Sequence, residues 1–161
     1  EEASQLCDHV SDRTEIAAAV NTLCFREEGD IYGDNTDGVG LVIDVEENLG
    51  LRLCGRRLLL LGAGGAARGV LQPLLEAGPK QLVIANRTPE KARQLAVAFA
   101  GYGPVEAVGL DHLSGCHFDL VVNATSASLS GEMPPLPDAL FAANALAYDM
   151  MYGDEPTVFM Q

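Results

Sequence analysis

The chain is poor in basic residues and in long apolar runs. Its 161 residues include ten Lys and Arg against 23 Asp and Glu, a net charge of 10 − 23 = −13. Nucleic-acid phosphates and anionic lipid surfaces bind clustered basic side chains, so the sequence predicts neither a nucleic acid nor a membrane as a partner. No stretch approaches the roughly 18 consecutive apolar residues of a membrane span, and no signal-peptide pattern opens the chain. We therefore expect a cytoplasmic protein.

The sequence also lacks the paired cysteines of a disulfide framework or a zinc site. Four cysteines are scattered without a C-x-x-C spacing: Cys7, Cys24, Cys54 and Cys116. This pattern predicts free thiols. Cys116 and His117 lie near His112, but a structural zinc site needs four converging ligands and no fourth is close in sequence. We expect no metal site.

Short apolar runs alternate with helical stretches from residue 58 onward. Five runs predict strands, at residues 58–61, 82–85, 105–108, 118–123 and 145–149. Leucines at helical spacing predict a helix that ends at Gly78-Pro79, with Pro73 as a point where it could break. Thr88 and Pro89 predict the cap and first residue of a helix over 90–100. Alternating strands and helices form βαβ units, so we predict an α/β fold with a Rossmann-type doubly wound parallel sheet.

The segment before residue 58 has a different pattern. It predicts helical pieces at residues 1–9 and 11–19, a hairpin of residues 22–25 and 31–32, and a helix over 36–49 whose inward residues are Val39, Val42, Ile43 and Val45. So few residues cannot close a core of their own. We predict that residues 1–36 are the edge of another domain and that residues 37–161 form the Rossmann domain, with residues 37–49 as the connecting helix.

A glycine-rich segment follows the first of the five predicted strands. Residues 62–67 read Gly-Ala-Gly-Gly-Ala-Ala and fit the G-x-G-x-x-G/A pattern of dinucleotide-binding turns. In that pattern the first glycine makes the tight turn, the second admits a pyrophosphate to the backbone, and the small last residue allows close packing. The helix that follows presents free N–H groups to the anion. We favour dinucleotide binding over a tight turn without a ligand.

The end of the second predicted strand indicates which dinucleotide is bound. An NAD site has a carboxylate there for the ribose 2′-hydroxyl. This chain has Asn86-Arg87-Thr88, followed by Lys91 and Arg93. A guanidinium pairs naturally with a 2′-phosphate, so we predict NADP. The alternative is that Arg87 is an exposed charge near a helix start.

Three other polar segments stand at predicted strand or helix ends. Residues 34–38, Asp-Asn-Thr-Asp-Gly, precede a predicted helix, and from the residues alone we favour helix capping there. Residues 21–22 and 123–126 are predicted turns at strand ends. Residues 148–152 end the fifth predicted strand, where ligands of open α/β sheets bind.

Together these segments resemble the shikimate dehydrogenase family. Six motifs occur in the family's order: Ala-Val-Asn-Thr (19–22), Gly-Asp-Asn-Thr-Asp-Gly (33–38), the glycine segment with Arg68 (62–68), Asn-Arg-Thr (86–88), Asn-Ala-Thr-Ser (123–126) and Tyr-Asp-Met-Met-Tyr (148–152). The resemblance covers nearly the whole chain. It implies NADP-dependent reduction of 3-dehydroshikimate to shikimate in aromatic amino-acid biosynthesis. It also implies an α/β substrate-binding domain, represented by residues 1–36, and an active site in the cleft beside the Rossmann domain.

The resemblance implies roles for individual residues. Asn21 and Asp37 would contact the substrate hydroxyls, with Asp37 as the catalytic acid-base partner of a lysine, and Tyr152 would also reach the substrate. The cofactor site would contain Gly62, Ala63, Gly64, Gly65, Ala66, Asn86, Arg87, Thr88, Lys91 and Met150, and Asp12 would also face the cofactor. The family often has arginine at the position of Lys91, so a weaker point-charge contact is expected there.

The chain also departs from the family pattern. The family's lysine and a serine-containing substrate motif lie on the N-terminal side of a segment like Glu1-Glu2-Ala3, and a further glycine and glutamine lie beyond the position of Gln161. We therefore expect a central fragment that binds the cofactor without dehydrogenase activity. The alternatives are a non-catalytic dinucleotide-binding module and a quinate-using dehydrogenase. The oligomeric state stays open, with a homodimer through open strand edges as one hypothesis.

Overall fold

The N-terminal segment forms a small three-stranded sheet. The computed structural model describes residues 3–27, 29–127, 131–152 and 155–161. Its first elements are β1 (His9–Val10), α1 (Asp12–Ala17), β2 (Thr22–Phe25) and β3 (Ile31–Asp34), and the sheet order is β1-β3-β2. The predicted hairpin is confirmed, because β2 and β3 pair antiparallel.

The helix predicted over residues 1–9 is wrong. The described part of that segment is a 3-10 turn, Ala3–Leu6, followed by β1. His9 and Val10 pair in parallel with Tyr32 and Gly33 of β3. Pairing across the chain therefore overrides the local helical pattern, which a single sequence cannot reveal.

The connecting helix is α2 (Asp37–Ile43), which continues as a π-helical turn over Asp44–Asn48. Its buried stripe is Gly38, Leu41 and Val45, whereas Ile43 is 47% exposed. The inward orientation predicted for Ile43 is wrong. Ile43 lies two residues after the buried Leu41, and two residues correspond to a rotation of about 200° around the helix axis, so its side chain points away from the core.

The five strands predicted from residue 58 onward form one parallel sheet. They are β4 (Arg57–Leu61), β5 (Gln81–Asn86), β6 (Val105–Gly109), β7 (Phe118–Asn123) and β8 (Phe141–Asp149). Their order is β6-β5-β4-β7-β8, and every neighbouring pair is parallel. The chain adds strands first on one side of β4 and then on the other, as in a doubly wound fold, so the predicted α/β class is confirmed.

Two further helices, α3 (Gly65–Glu76) and α4 (Pro89–Phe99), cover one face of this sheet. Pro73 does not break α3. Because proline has no N–H, it leaves the carbonyl of Gly69 without its helical donor, and the N-terminal turn of α2 packs against that carbonyl.

Alternate residues of the central strands point into two separate apolar clusters. Leu58 and Leu60 face the helices, and Leu59 and Leu61 face the other side. On that second face, the described residues that complete the cluster come from irregular segments and include Leu113, Leu140 and Phe159. Both faces of the central strands are therefore buried, which explains their continuous apolar sequence.

The structure also describes the four cysteines, the residues that could bind a metal and the lengths of the helices. All four cysteines are free, with Cys24 and Cys54 exposed and Cys7 and Cys116 half-buried. Within the described ranges, no cluster of three or more His, Cys, Asp or Glu could hold a metal ion. None of the helices that the structure describes has the length and apolarity to cross a membrane.

Candidate functional site

A cavity of about 630 Å³ opens at the carboxyl ends of β4, β5 and β7. Its floor is the glycine segment, and its sides come from the ends of the neighbouring strands and from residues 132–135. In open α/β sheets this is where ligands bind, at the point where the strand order reverses. The lining residues include Gly62, Ala63, Gly64, Gly65, Ala66, Asn86, Arg87, Leu110, Thr125, Ser126, Ala127, Glu132, Met133 and Met151.

The glycine turn leaves the start of α3 open to the cavity. Gly62 has φ +105°, and a methyl group built on it would lie 3.0 Å from the carbonyl oxygen of Ala124, so only glycine fits there without strain. By contrast, Gly64 and Gly65 have nothing within 4 Å of an added methyl group. Gly64 is the N-cap of α3 and offers no side chain to its first N–H groups. These donors are therefore available to an anion.

The end of β5 brings a cation to the same cavity. Arg87 lines it, and among the described lining residues it is the one lysine or arginine. The Asn86 side chain donates from Nδ2 to the Thr88 carbonyl oxygen at 3.0 Å, which shapes the turn into α4. Thr88 is the N-cap of α4 as predicted, but its hydroxyl makes no capping hydrogen bond.

Several predicted cofactor residues lie outside the cavity lining. Thr88 and the exposed Lys91 lie at the start of α4, after Arg87 in the sequence. Met150 packs against the apolar core, and its neighbour Met151 lines the cavity. Asp12 lines a second cavity of about 450 Å³ between α1, α2 and α3.

Asn21 and Asp37 form the polar centre of the N-terminal part. The Asn21 Nδ2 donates to Asp37 Oδ1 at 2.6 Å, and the Thr36 N–H donates to Asn21 Oδ1 at 3.1 Å. Both side chains belong to exposed residues. Hydrogen bonding thus orients an amide and a carboxylate side by side, a pair that can bind and exchange protons with a hydroxyl group.

A helix begins within residues 34–38 as predicted, but the side chain that bonds to its first N–H belongs to Asn35. Asp37 is the first residue of α2, and the Asp37 N–H donates to Asn35 Oδ1 at 3.2 Å. The N-cap residue Thr36 makes no side-chain capping bond. Asn35, rather than a carboxylate, therefore serves the helix start, and the Asp37 carboxylate is directed toward Asn21.

Asp34 has a structural role, because neighbouring residues hold its carboxylate by hydrogen bonds. It accepts hydrogen bonds from the Arg13 guanidinium, from the Ser11 hydroxyl at 2.6 Å and from the Asn35 N–H at 2.8 Å. The bond from Arg13 contributes most to lowering the pKa of Asp34 from 3.8 to about 2. This ionised side chain ties α1 to the segment that carries Asn35 and Asp37.

Tyr152 follows β8 and is 95% exposed, and no described contact brings it to the cavity or to Asp37. The lining residues that the sequence did not indicate as site residues include Met151, Leu110, Thr125, Ser126, Ala127, Glu132 and Met133. Leu110 directly follows β6, so its position just after a parallel strand could have indicated it. Residues 132–133 carry no sequence signal of this kind.

Comparisons with known proteins agree with this architecture. The family model described as Shikimate / quinate 5-dehydrogenase matches residues 45–130. The shikimate dehydrogenase (NADP(+)) of Cellvibrio japonicus is 58% identical over all 161 residues, which cover 58% of that protein.

Solved structures extend the similarity to the fold. The Ael1 enzyme of Pseudomonas putida matches with a TM-score of 0.87 and 48% identity, over 99% of this chain and 58% of that chain. Shikimate 5-dehydrogenase of Thermus thermophilus, in complex with NADP(H) and shikimate, matches with a TM-score of 0.75 and 35% identity, over 92% and 54%. The chain therefore spans rather more than half the length of these relatives.

Proposed function

Because the chain belongs to the shikimate / quinate 5-dehydrogenase family, we propose that the cavity at the ends of β4, β5 and β7 binds NADP. The main observation in support is that Gly64 and Gly65, which have open space around them at the start of α3, line the same cavity as Arg87. Free N–H groups at a helix start bind a pyrophosphate, and a guanidinium binds a 2′-phosphate. The relative from Thermus thermophilus, which is described with NADP(H), supports the same cofactor.

We assign the cofactor contacts by position. Residues 62–66 take the pyrophosphate, and Arg87 takes the 2′-phosphate with Lys91 as a more distant positive charge. Asn86 and Thr88 hold the turn that presents Arg87, and Met150 supports Met151 from the core side. The proposal does not extend to Asp12, whose side chain lines the second cavity.

We propose that, within a family-length protein, this chain contributes to the NADP-dependent reduction of 3-dehydroshikimate to shikimate. When bound, the nicotinamide supplies the hydride. Asn21 would donate from its amide to a substrate hydroxyl, while the Asp37 carboxylate accepts from one and passes protons at Oδ2. The Asn21 to Asp37 hydrogen bond supports this pairing, since it keeps both groups oriented before a substrate binds. Tyr152 is proposed as a further substrate contact from the end of β8.

We propose that the chain alone binds NADP but does not turn over substrate. The family resemblance pairs Asp37 with a lysine, and the two lysines of this chain, Lys80 and Lys91, both belong to the parallel-sheet part. Turnover with shikimate and NADP at a rate typical of dehydrogenases, about 1–1,000 per second, would contradict this.

Calorimetric titration of the chain with NADP and with NAD, at one salt concentration, tests the cofactor assignment. We expect a clear preference for NADP. Arg87→Ala should weaken NADP about tenfold or more and NAD much less, because only NADP carries the 2′-phosphate. Arg52→Ala is the matched control, since Arg52 is an exposed arginine outside the cavity lining. Equal losses for both nucleotides on Arg87→Ala would refute the assignment.

Two alternatives have their own tests. The family description includes quinate, so quinate and shikimate should be compared as substrates of a family-length protein containing this chain. A non-catalytic binding module is the other alternative. In the same protein, Asp37→Asn should lower turnover strongly if Asp37 moves a proton, and should leave it unchanged if the residue only begins a helix.

We further propose that the domain boundary lies between residues 36 and 37. The small sheet precedes this point, and α2 packs on α3 after it.

The edge strand β2, with Phe25 74% exposed, could pair with a second copy. A mass by light scattering that stays monomeric at all concentrations would rule out that homodimer.

A further inference from the structure

Two short segments form the cavity wall on the β7 side of the glycine turn. Thr125, Ser126 and Ala127 follow β7, and Met151 follows β8. Arg87 lies on the opposite side of β4, at the end of β5. If the adenosine 2′-phosphate binds at Arg87 and the pyrophosphate at the glycine turn, the nicotinamide half must extend toward this wall. Residues 125–127 and 151 form this far wall of the cavity.

The side chains of Asn123 and Asp149 contact both segments of the far wall. Asn123 is fully buried, and its Oδ1 accepts from the Thr125 N–H at 3.1 Å and from the Thr125 hydroxyl at 2.7 Å. Its Nδ2 donates to Asp149 Oδ1 at 3.1 Å. Asp149 Oδ1 in turn accepts from the Met151 N–H at 3.0 Å. The Asn123 to Asp149 contact therefore links the two segments through side chains, beside the backbone hydrogen bond from the Met150 N–H to the Asn123 carbonyl oxygen at 3.0 Å.

The other carboxylate oxygen of Asp149 is held from outside the wall. The Thr157 hydroxyl donates to Asp149 Oδ2 at 2.5 Å. Two residues later, the buried side chain of Phe159 packs into the apolar cluster on the second face of the sheet. Thr157 is thus anchored to the core and orients Asp149 without lining the cavity.

We infer that Thr157 is a positioning residue for the nicotinamide half of the cofactor, acting through Asp149 and Asn123 on the far wall. This rests on the proposed NADP function. Hydrogen bonds to a carboxylate are strong and directional, and a binding wall holds its geometry only when the residues behind it are fixed. Removal of the hydroxyl takes away one of the hydrogen bonds that orient the Asp149 carboxylate behind the wall.

The test compares two ligands on the 161-residue chain by calorimetry. NADP reaches the far wall, whereas adenosine 2′,5′-bisphosphate lacks the nicotinamide half. We expect Thr157→Val to weaken NADP about tenfold, the loss expected when one charge-assisted hydrogen bond is removed, and to leave the bisphosphate affinity unchanged. Thr157→Ser keeps the hydroxyl, so this variant should bind NADP as tightly as the unsubstituted chain. A general loss of structure would weaken both ligands.

Each other outcome overturns the inference. Equal weakening of both ligands, or unchanged NADP affinity in a folded Thr157→Val chain, would show that Thr157 does not position the wall. If circular dichroism shows that both Thr157→Val and Thr157→Ala are unfolded, the residue is structural only. If the unsubstituted chain binds neither ligand, the proposed function fails first, and the inference fails with it.

Discussion

The contact between α2 and α3 gives a sharp prediction about stability. A methyl group built on Gly38 would lie 2.7 Å from the Gly69 carbonyl oxygen and 2.7 Å from Pro73 Cγ, with the Val70 Cα at 3.0 Å. Two of these three atoms are backbone atoms and cannot rotate away. Gly38→Ala must therefore push α2 and α3 apart.

The size of the effect follows from two opposing contributions. Overpacking of a tight contact costs about 1–3 kcal/mol, and alanine regains up to about 1 kcal/mol of helix propensity over glycine. We expect Gly38→Ala to lower the free energy of unfolding by about 1–2 kcal/mol. Gly40→Ala is the matched control, because Gly40 is an exposed residue of the same helix with nothing within 4 Å of an added methyl group. It should raise stability by about 0.5–1 kcal/mol.

Urea unfolding followed by circular dichroism measures both variants. The two changes are chemically identical and lie two residues apart, so opposite signs can only come from the environment of each residue. A Gly38→Ala chain as stable as the Gly40→Ala chain would refute the close approach of α2 to α3.

Three other predictions follow from single features. Because its folded pKa of about 2 is below 3.8, Asp34 stabilises the fold above about pH 4 and loses this contribution as the pH falls toward 2. At pH 7, Asp34→Asn should cost about 1–2 kcal/mol, less than the lowered pKa alone implies because Arg13 is 37% exposed. Urea titrations should show this difference shrinking as the pH falls below 4 and vanishing only below about pH 2. Gly62→Ala places a side chain at φ +105° and 3.0 Å from the Ala124 carbonyl oxygen, so thermal unfolding should show a loss of about 1–3 kcal/mol; an unchanged melting temperature would contradict the turn geometry. Phe25→Lys should abolish any self-association seen by light scattering, since a charged edge strand resists pairing, and persistent association would place the interface elsewhere.

The predictable part of the fold was the part governed by local pattern. All five parallel strands were predicted within a few residues, because strands buried on both faces need continuous apolar sequence. The glycine turn was predictable for a similar reason, since Gly62 must adopt a conformation that other residues avoid. The strand β1 was not predictable, because its two residues become a strand only by pairing with β3.

The candidate site divides in the same way. Gly62 to Ala66 and Arg87 could be selected from the residues themselves, because their chemistry follows from their type and from the strand end that they occupy. The roles of Asn21 and Asp37 came only from the family resemblance, since the residues alone favoured a turn and a helix cap. The sequence could not show that Met151, rather than its neighbour Met150, lines the cavity. Which of the two side chains faces the cavity depends on how the Met151 N–H is held by Asp149. The separate location of Asp12 likewise follows from the packing of α1 against α3.

By itself the sequence determined the α/β class, the parallel strands and the chemistry of the glycine turn and Arg87, because periodicity, glycine conformation and charge are properties of the residues in order. Tertiary structure alone decided the Gly38 to Gly69 contact, the hydrogen bond from Asn21 to Asp37 and the Thr157 to Asp149 link behind the cavity wall. These contacts join residues that are 31, 16 and 8 positions apart. Their geometry depends on how whole elements pack, and no local pattern encodes it.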